Sequence, residues 1–236
     1  PEIAGAAADG AVAILPMGCT EQQGPHLTVG FDSWFAEELC LAASERAAEA
    51  CGVASVVLPA MPFGPTPEHR GFGAGFIDLP RSVHEEVLEA AADSLASQGF
   101  TRLLVWRGCG GHDLAAISTR WNDRWRGRGR LWLPEQPFAA IWAAVGDASV
   151  PGGHADSFAT SIALHRHPEL VRVDLIPGPS AQPDWADPDL DFTEHSSTGV
   201  IGDARAASTE LGAALWEECV TVVAEVIRDV ADAPII

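Results

Sequence analysis

Three short apolar segments set the limits on what this chain can fold into. Ala11 to Pro16, Val53 to Pro59 and Arg102 to Trp106 hold few polar residues, and the first and third lead into glycine-bearing polar loops. A strand wetted on one face alternates apolar and polar side chains, so continuous runs of this kind belong to strands covered on both faces. Between them lie Ser33 to Cys51 and Arg81 to Gln98, alanine-rich and with apolar residues three and four apart, the spacing of amphipathic helices. Buried strand alternating with amphipathic helix predicts βαβ units with right-handed crossovers. The expected class is α/β: a three-layer α/β/α sandwich with a mostly parallel central sheet.

Further along, Leu131 to Leu133 and Leu170 to Leu175 read as shorter strands, and Ala155 to His165 and Ala204 to Val230 as helices, the second closing the domain. Ile176 to Asp203, rich in Pro, Asp, Ser and Gly, reads as an irregular excursion of the kind that tends to carry function. With 236 residues, 47 % of them hydrophobic, the chain can bury one substantial core, so a single domain over residues 1–236 is expected.

All 14 basic residues are arginine, and against 33 acidic residues they leave a formal charge of −19. Such a surface repels phosphate backbones and anionic lipid, which points to a small-molecule substrate and away from nucleic acid and membranes as partners. No apolar run approaches the ~20 residues of a membrane span, and no basic segment precedes one, so an unexported cytoplasmic protein is expected. The five cysteines are odd in number and irregularly spaced, which fits a reducing compartment with most of them as buried small apolar residues. With no tyrosine and no lysine, proton transfer falls to His, Cys, Asp, Glu or water. The arginines between Arg120 and Arg130 read as a solvated helix end and loop. Trp121, Trp125, Trp132 and Trp142 fit an interface or an aromatic pocket wall, and His84, His165 and His167 read as structural or surface residues.

Ligands of open parallel sheets bind beyond the carboxyl ends of the strands. Two polar loops lie there. Met17 to Asp32 packs Glu21, His26 and Asp32 ahead of a helix, and Gly108 to Asp113 brings Cys109 and His112 among glycines that let backbone approach a ligand, with Asp113 a candidate helix cap.

The stretch GCTEQQGPHLTVGFD (residues 18–32) resembles the creatininase signature, in which a Glu, a His two residues on and an Asp eleven beyond the Glu bind two divalent metals. TPEHRGF (66–72) is similar to that family's Ser-x-Glu-His segment, and RGCGGHD (107–113) to its Asn-Gly-His-Gly-Gly-Asn loop. GGHADSFATS (152–161) is similar to its His-Ala-Gly-x-x-Glu-Thr-Ser motif, and GVIGDARAASTELG (199–212) to a C-terminal segment. Five motifs in family order span nearly the whole chain.

The resemblance implies an amidohydrolase acting on an amide C–N bond, with Glu21 and Asp32 as metal ligands. Gln23, Cys109 and Ala159 stand where the family has His, His and Glu. A neutral amide is a poor metal donor and a methyl group none, so one divalent metal is expected in place of two. A thiolate at Cys109 suits zinc, held with Glu21 and Asp32. His112 or His154 would move the proton to the leaving nitrogen, with His26 and Glu68 as further catalytic candidates and Gln23, His69 and Asp156 as substrate-binding ones. The family also implies a homo-oligomer, often a hexamer. Two other readings stay open. Cys109 acts as a metal-independent nucleophile activated by His112 or His26, in a hydrolase, acyl transferase or cyclase; or the fold has kept its pocket and lost turnover, leaving a binding or scaffold protein.

Overall fold

Alternate residues of the first strand leave it on opposite sides, and the molecule is built around that alternation. In the computed structural model, which describes residues 2–110 and 114–235, β1 (Val12–Met17) is buried along its whole length. Val12 and Ile14 enter one apolar cluster, while Ala13, Leu15 and Met17 enter another. β3 (Arg102–Arg107) divides in the same way: Leu104 and Trp106 go to the first cluster, Leu103 and Val105 to the second. A period of two on a strand with no wet face puts every side chain into a core.

The helices supply the two covers. On the first side lie α2 (Phe31–Cys51), α5 (Phe138–Val145), α6 (Ser157–Arg166) and α7 (Thr209–Asp232); on the second lie α1 (Glu2–Ala8), α3 (Arg81–Ser97) and α4 (Ala115–Arg124). With β2 (Ser55–Val57) and β4 (Arg130–Trp132), the sheet has the order β2-β1-β3-β4 and every pairing is parallel. This is the expected three-layer α/β/α sandwich. The chain leaves β1 toward β2 through α2 on one face and returns past it to β3 through α3 on the other. The order therefore reverses between β1 and β3, the place where sheets of this kind open a crevice at their carboxyl ends.

Helix ends follow side-chain caps more closely than apolar spacing. The Ser208 hydroxyl accepts from Leu211 N at 3.1 Å, so α7 begins at Thr209, and the preceding Ala204–Ala206 is a separate 3-10 turn. Asp156 accepts from Phe158 N and Ala159 N and starts α6 at Ser157, two residues beyond the expected Ala155.

Two expectations are corrected. Leu170 to Leu175 is not a strand: Pro168–Leu170 and Val173–Leu175 form 3-10 turns whose N–H groups bond to carbonyls three residues back, and only Arg172 N reaches across, to His26 O. Local bonds satisfy this backbone, so it needs no sheet edge. The arginine run is the expected exposed helix end and loop, and from it Arg120 and Arg124 also bind Glu85, Glu89 and Asp93 and tie α4 to α3. Trp121 is not a surface residue. It lies fully buried in the second cluster, stacked on Trp125 at 5.4 Å, and both indole N–H groups donate to Asp93. The proposed cap Asp113 lies outside the described residues. No described helix is long and apolar enough to cross a membrane.

Candidate active site

Two glycines bring the loops after β1 and β3 together. Gly108 N donates to Met17 O at 2.6 Å. A side chain at Gly18 would overlap the backbone of Ser33, and one at Gly108 would overlap the carbonyl of Asp32. These glycines thus permit close approach to the first turn of α2 rather than to a ligand. Both loops are pressed on the helix that carries Asp32, and their side chains meet over it.

Glu21 stands at the centre. It is 4 % exposed and Asp32 is 5 % exposed. Gln23 bridges them, its Nε2 donating to Asp32 Oδ2 at 2.9 Å and to Glu21 Oε1 at 3.3 Å. On one side of Glu21, His69 Nε2 lies 3.6 Å and His154 Nδ1 3.5 Å from Glu21 Oε1. On the other, Cys19, Glu21 and Asp32 offer ligand atoms that all lie within 4.8 Å of one another, and Cys19 Sγ lies 3.2 Å from Cys109 Sγ.

Each imidazole has a backbone reason for its place. His154 is held by reciprocal backbone bonds to Ile201, and its Nε2 faces Gln22 O at 2.7 Å. A carbonyl only accepts, so Nε2 carries the proton and the Nδ1 lone pair faces Glu21. That arrangement, a ring N–H spent on a carbonyl while the other nitrogen points inward, is how proteins orient metal-binding histidines. His69 sits on the 3-10 helix Pro67–Phe72, completely buried, with no hydrogen-bond partner at either ring nitrogen.

The electrostatics agree with this donor set. Burial, followed by the charge of Glu68, pushes the Glu21 carboxyl up to about 8. Burial and the neighbouring Glu21 also raise Asp32. Burial, then the proximity of His69, brings His154 down to about 3, and burial lowers His69. Buried carboxyls that resist ionising beside imidazoles that resist protonating form a pocket short of positive charge, and a cation bound there reverses that balance. The geometry fits as well. Two donors ~2.1 Å from a tetrahedral ion are ~3.4 Å apart, close to the 3.5 and 3.6 Å found around Glu21.

The cluster opens on a cleft of about 1060 Å³. Phe31, Phe35, Phe138, Trp142 and Phe158 line one side of it, and Trp185 and Phe192 come from the irregular excursion. Glu68 also lines it, with its carboxylate 3.7 Å from His69 Nε2.

The candidates separate as follows. Glu21, Asp32 and Gln23 come together, with Cys109 joined to them through Cys19, and Gln23, a substrate-binding candidate that lines the cleft, also donates to both carboxylates. His69, a substrate-binding candidate, is fully buried with Nε2 3.6 Å from Glu21 Oε1. Asp156 lines the cleft, but both its oxygens are taken by backbone N–H groups of Gly153, Phe158 and Ala159. His26 is not brought into the cluster: it is fully buried, with Nε2 2.8 Å from Thr160 Oγ1. His112 lies outside the described residues. Cys19 was missed, although it lies two residues before Glu21 in the same loop and so on the same side of any extended chain.

A sequence model described as creatininase, creatinine amidohydrolase, matches residues 1–227. A mycofactocin precursor peptide peptidase of Mycolicibacterium smegmatis (strain ATCC 700084 / mc(2)155) is 28 % identical over 219 residues, 91 % of this chain and 83 % of that one. A creatinine amidohydrolase of Pseudomonas putida is 25 % identical over 94 % of this chain and 91 % of its own. A solved structure described as manganese creatininase superposes with a TM-score of 0.78 at 22 % identity, covering 98 % of this chain and 96 % of that one.

Proposed function

The chain belongs to the creatininase family, and from that premise we propose that it hydrolyses an amide C–N bond in a peptide-sized substrate, using a divalent metal held at Glu21. The observation that carries this reading is the convergence of neutral His69 and His154 on the buried Glu21 carboxylate. A relative that is a peptide peptidase and a cleft large for a small cyclic amide support the substrate size.

When bound there, a divalent ion polarises the scissile carbonyl and makes water a nucleophile near neutral pH. Glu21, His69 and His154 would hold it. The His154 Nε2–H bond to Gln22 O keeps the Nδ1 lone pair aimed inward through turnover. Gln23 donates to both carboxylates and fixes their orientation without adding charge. Phe31, Phe138, Trp142 and Phe158 exclude bulk water from the reacting amide, which strengthens every polar interaction inside. Glu68, facing the same cleft, is placed to carry the proton to the departing nitrogen.

The test is a mass-spectrometric screen of pooled synthetic peptides for products that have gained one water, run on the protein as isolated, after metal stripping, and after metal return. Loss on stripping with recovery on return is expected, and Glu21→Gln should lower turnover by ~10³-fold, equivalent to ~4 kcal/mol. Hydrolysis that survives complete metal removal and is abolished by a thiol alkylator would replace this reading with the Cys109 nucleophile.

A further inference from the structure

Glu21 has donors on both sides, and the second side differs in kind from the first. Cys19 is 1 % exposed at the floor of the cleft, Cys109 is partly exposed at its wall, and their sulfurs are 3.2 Å apart. Cys19 Sγ, a Glu21 oxygen and an Asp32 oxygen are mutually within 4.8 Å, and Cys109 adjoins this group of three through Cys19. The sulfurs are well beyond a disulfide bond of ~2.05 Å. They lie closer than the ~3.8 Å between two thiolates on one tetrahedral zinc, so Cys109 would have to retreat by roughly 0.6 Å. Open space around the following Gly110 and the partial exposure of Cys109 on the cleft wall leave the side chain that freedom.

Deepening the metal-dependent reading on which it rests, we propose that Cys19 and Cys109, with Asp32 and Glu21, form a dithiolate–dicarboxylate metal position that selects a thiophilic divalent ion of the zinc, cobalt and cadmium type over manganese or magnesium. Thiolate ligands discriminate by softness: they favour zinc-like ions, whereas an all-oxygen or oxygen–imidazole set admits the harder ones. Cys19 is the residue that makes the difference, because a single thiolate beside two carboxylates would leave a mixed set with weak preference. The two sulfurs come from different loops, one after β1 and one after β3, so this position also clasps the crevice between those strands. Ion binding displaces the thiol protons to solvent, and no electron is transferred.

The experiment is cobalt(II) titration of the reduced full chain, followed by absorption spectroscopy. We expect a near-ultraviolet sulfur-to-cobalt charge-transfer band at one equivalent or fewer. It should fall by about half in Cys19→Ser and in Cys109→Ser, vanish in the double variant, be removed by zinc and persist with excess manganese. A second readout needs no variant: zinc should protect Cys19 and Cys109 from alkylation, seen by peptide mass spectrometry, while exposed Cys51 is modified equally with and without the ion. Metal bound without a thiolate band, unprotected thiols, or displacement by manganese would overturn this proposal and leave the hydrolase reading standing. A full band in a protein whose amide hydrolysis ignores metal removal would do the reverse. No cobalt bound at all would overturn both.

Discussion

Replacing Asp156 by Ala tests the link between scaffold and site. This carboxylate is 6 % exposed and accepts three backbone N–H bonds: from Gly153 at 2.6 Å on Oδ2, and from Phe158 at 2.9 Å and Ala159 at 3.2 Å on Oδ1. Two of these cap α6, and the third pins the turn that contains His154 and Ala155, the one described non-glycine residue at positive φ (50°). A buried N–H left without a partner costs about 1–3 kcal/mol, and loss of a cap alone about 0.5–2 kcal/mol. Water entering the space left by the truncated side chain recovers part of this, so Asp156→Ala should cost about 2–4 kcal/mol. With a urea m-value of about 2 kcal/mol/M, the denaturation midpoint should fall by about 1–2 M. Asp156→Asn separates the two functions: one oxygen can still cap α6, but the amide N–H then faces the Gly153 N–H, and roughly half the loss should remain. Both variants should bind zinc more weakly by calorimetry under conditions where they are fully folded, because the turn orienting His154 has lost its anchor. An unfolding free energy for Asp156→Ala within about 0.5 kcal/mol of the parent would refute the assignment of these bonds as the support of the His154 turn.

Two further outcomes are expected. Burial, then the charge of Arg172, lowers His26 from 6.5 to about 4, so the native state binds fewer protons than the unfolded chain between those values. Its contribution is therefore complete above pH 6.5 and lost as pH falls toward 4. At ~1.4 kcal/mol per pH unit this amounts to at most about 3.5 kcal/mol. His26→Asn should flatten the stability profile across that window, and an unchanged slope would rule His26 out as its source. Gly212→Ala should cost about 3 kcal/mol or more, lowering the melting temperature by roughly 6–12 °C, because the added methyl overlaps the carbonyl of Ser161 where α7 crosses α6. The control is Gly5→Ala in α1, where a methyl meets nothing within 4 Å and helix propensity favours Ala; a loss there equal to that of Gly212→Ala would refute the steric account.

Legibility from sequence tracked how local the governing interaction was. The strands and helices that form the sandwich were readable because burial on two faces, or on one helical stripe, writes a period into the chain itself. Leu170 to Leu175 misled because short apolar spacing also suits 3-10 turns, and nothing local says that no strand lies alongside. Trp121 misled because its Asp93 acceptor is 28 residues away on another helix. In the site, Glu21 and Asp32 were identifiable from the motif they share. Cys19 was not, since a single thiol reads as a small apolar filler until another sulfur stands beside it, 90 residues along the chain.

The sequence by itself determined the layers, the sheet's parallel character, the family resemblance and the two loops in which chemistry had to lie. Tertiary structure alone decided which side chains meet there: His69 and His154 on one flank of Glu21, Cys19 with Cys109 and Asp32 on the other, and His26 elsewhere. The physical reason is range. Periodicity and caps act over a few residues and leave their mark in order along the chain. A metal-sized gathering of donors depends on ångström distances between segments that only the packed core brings into contact.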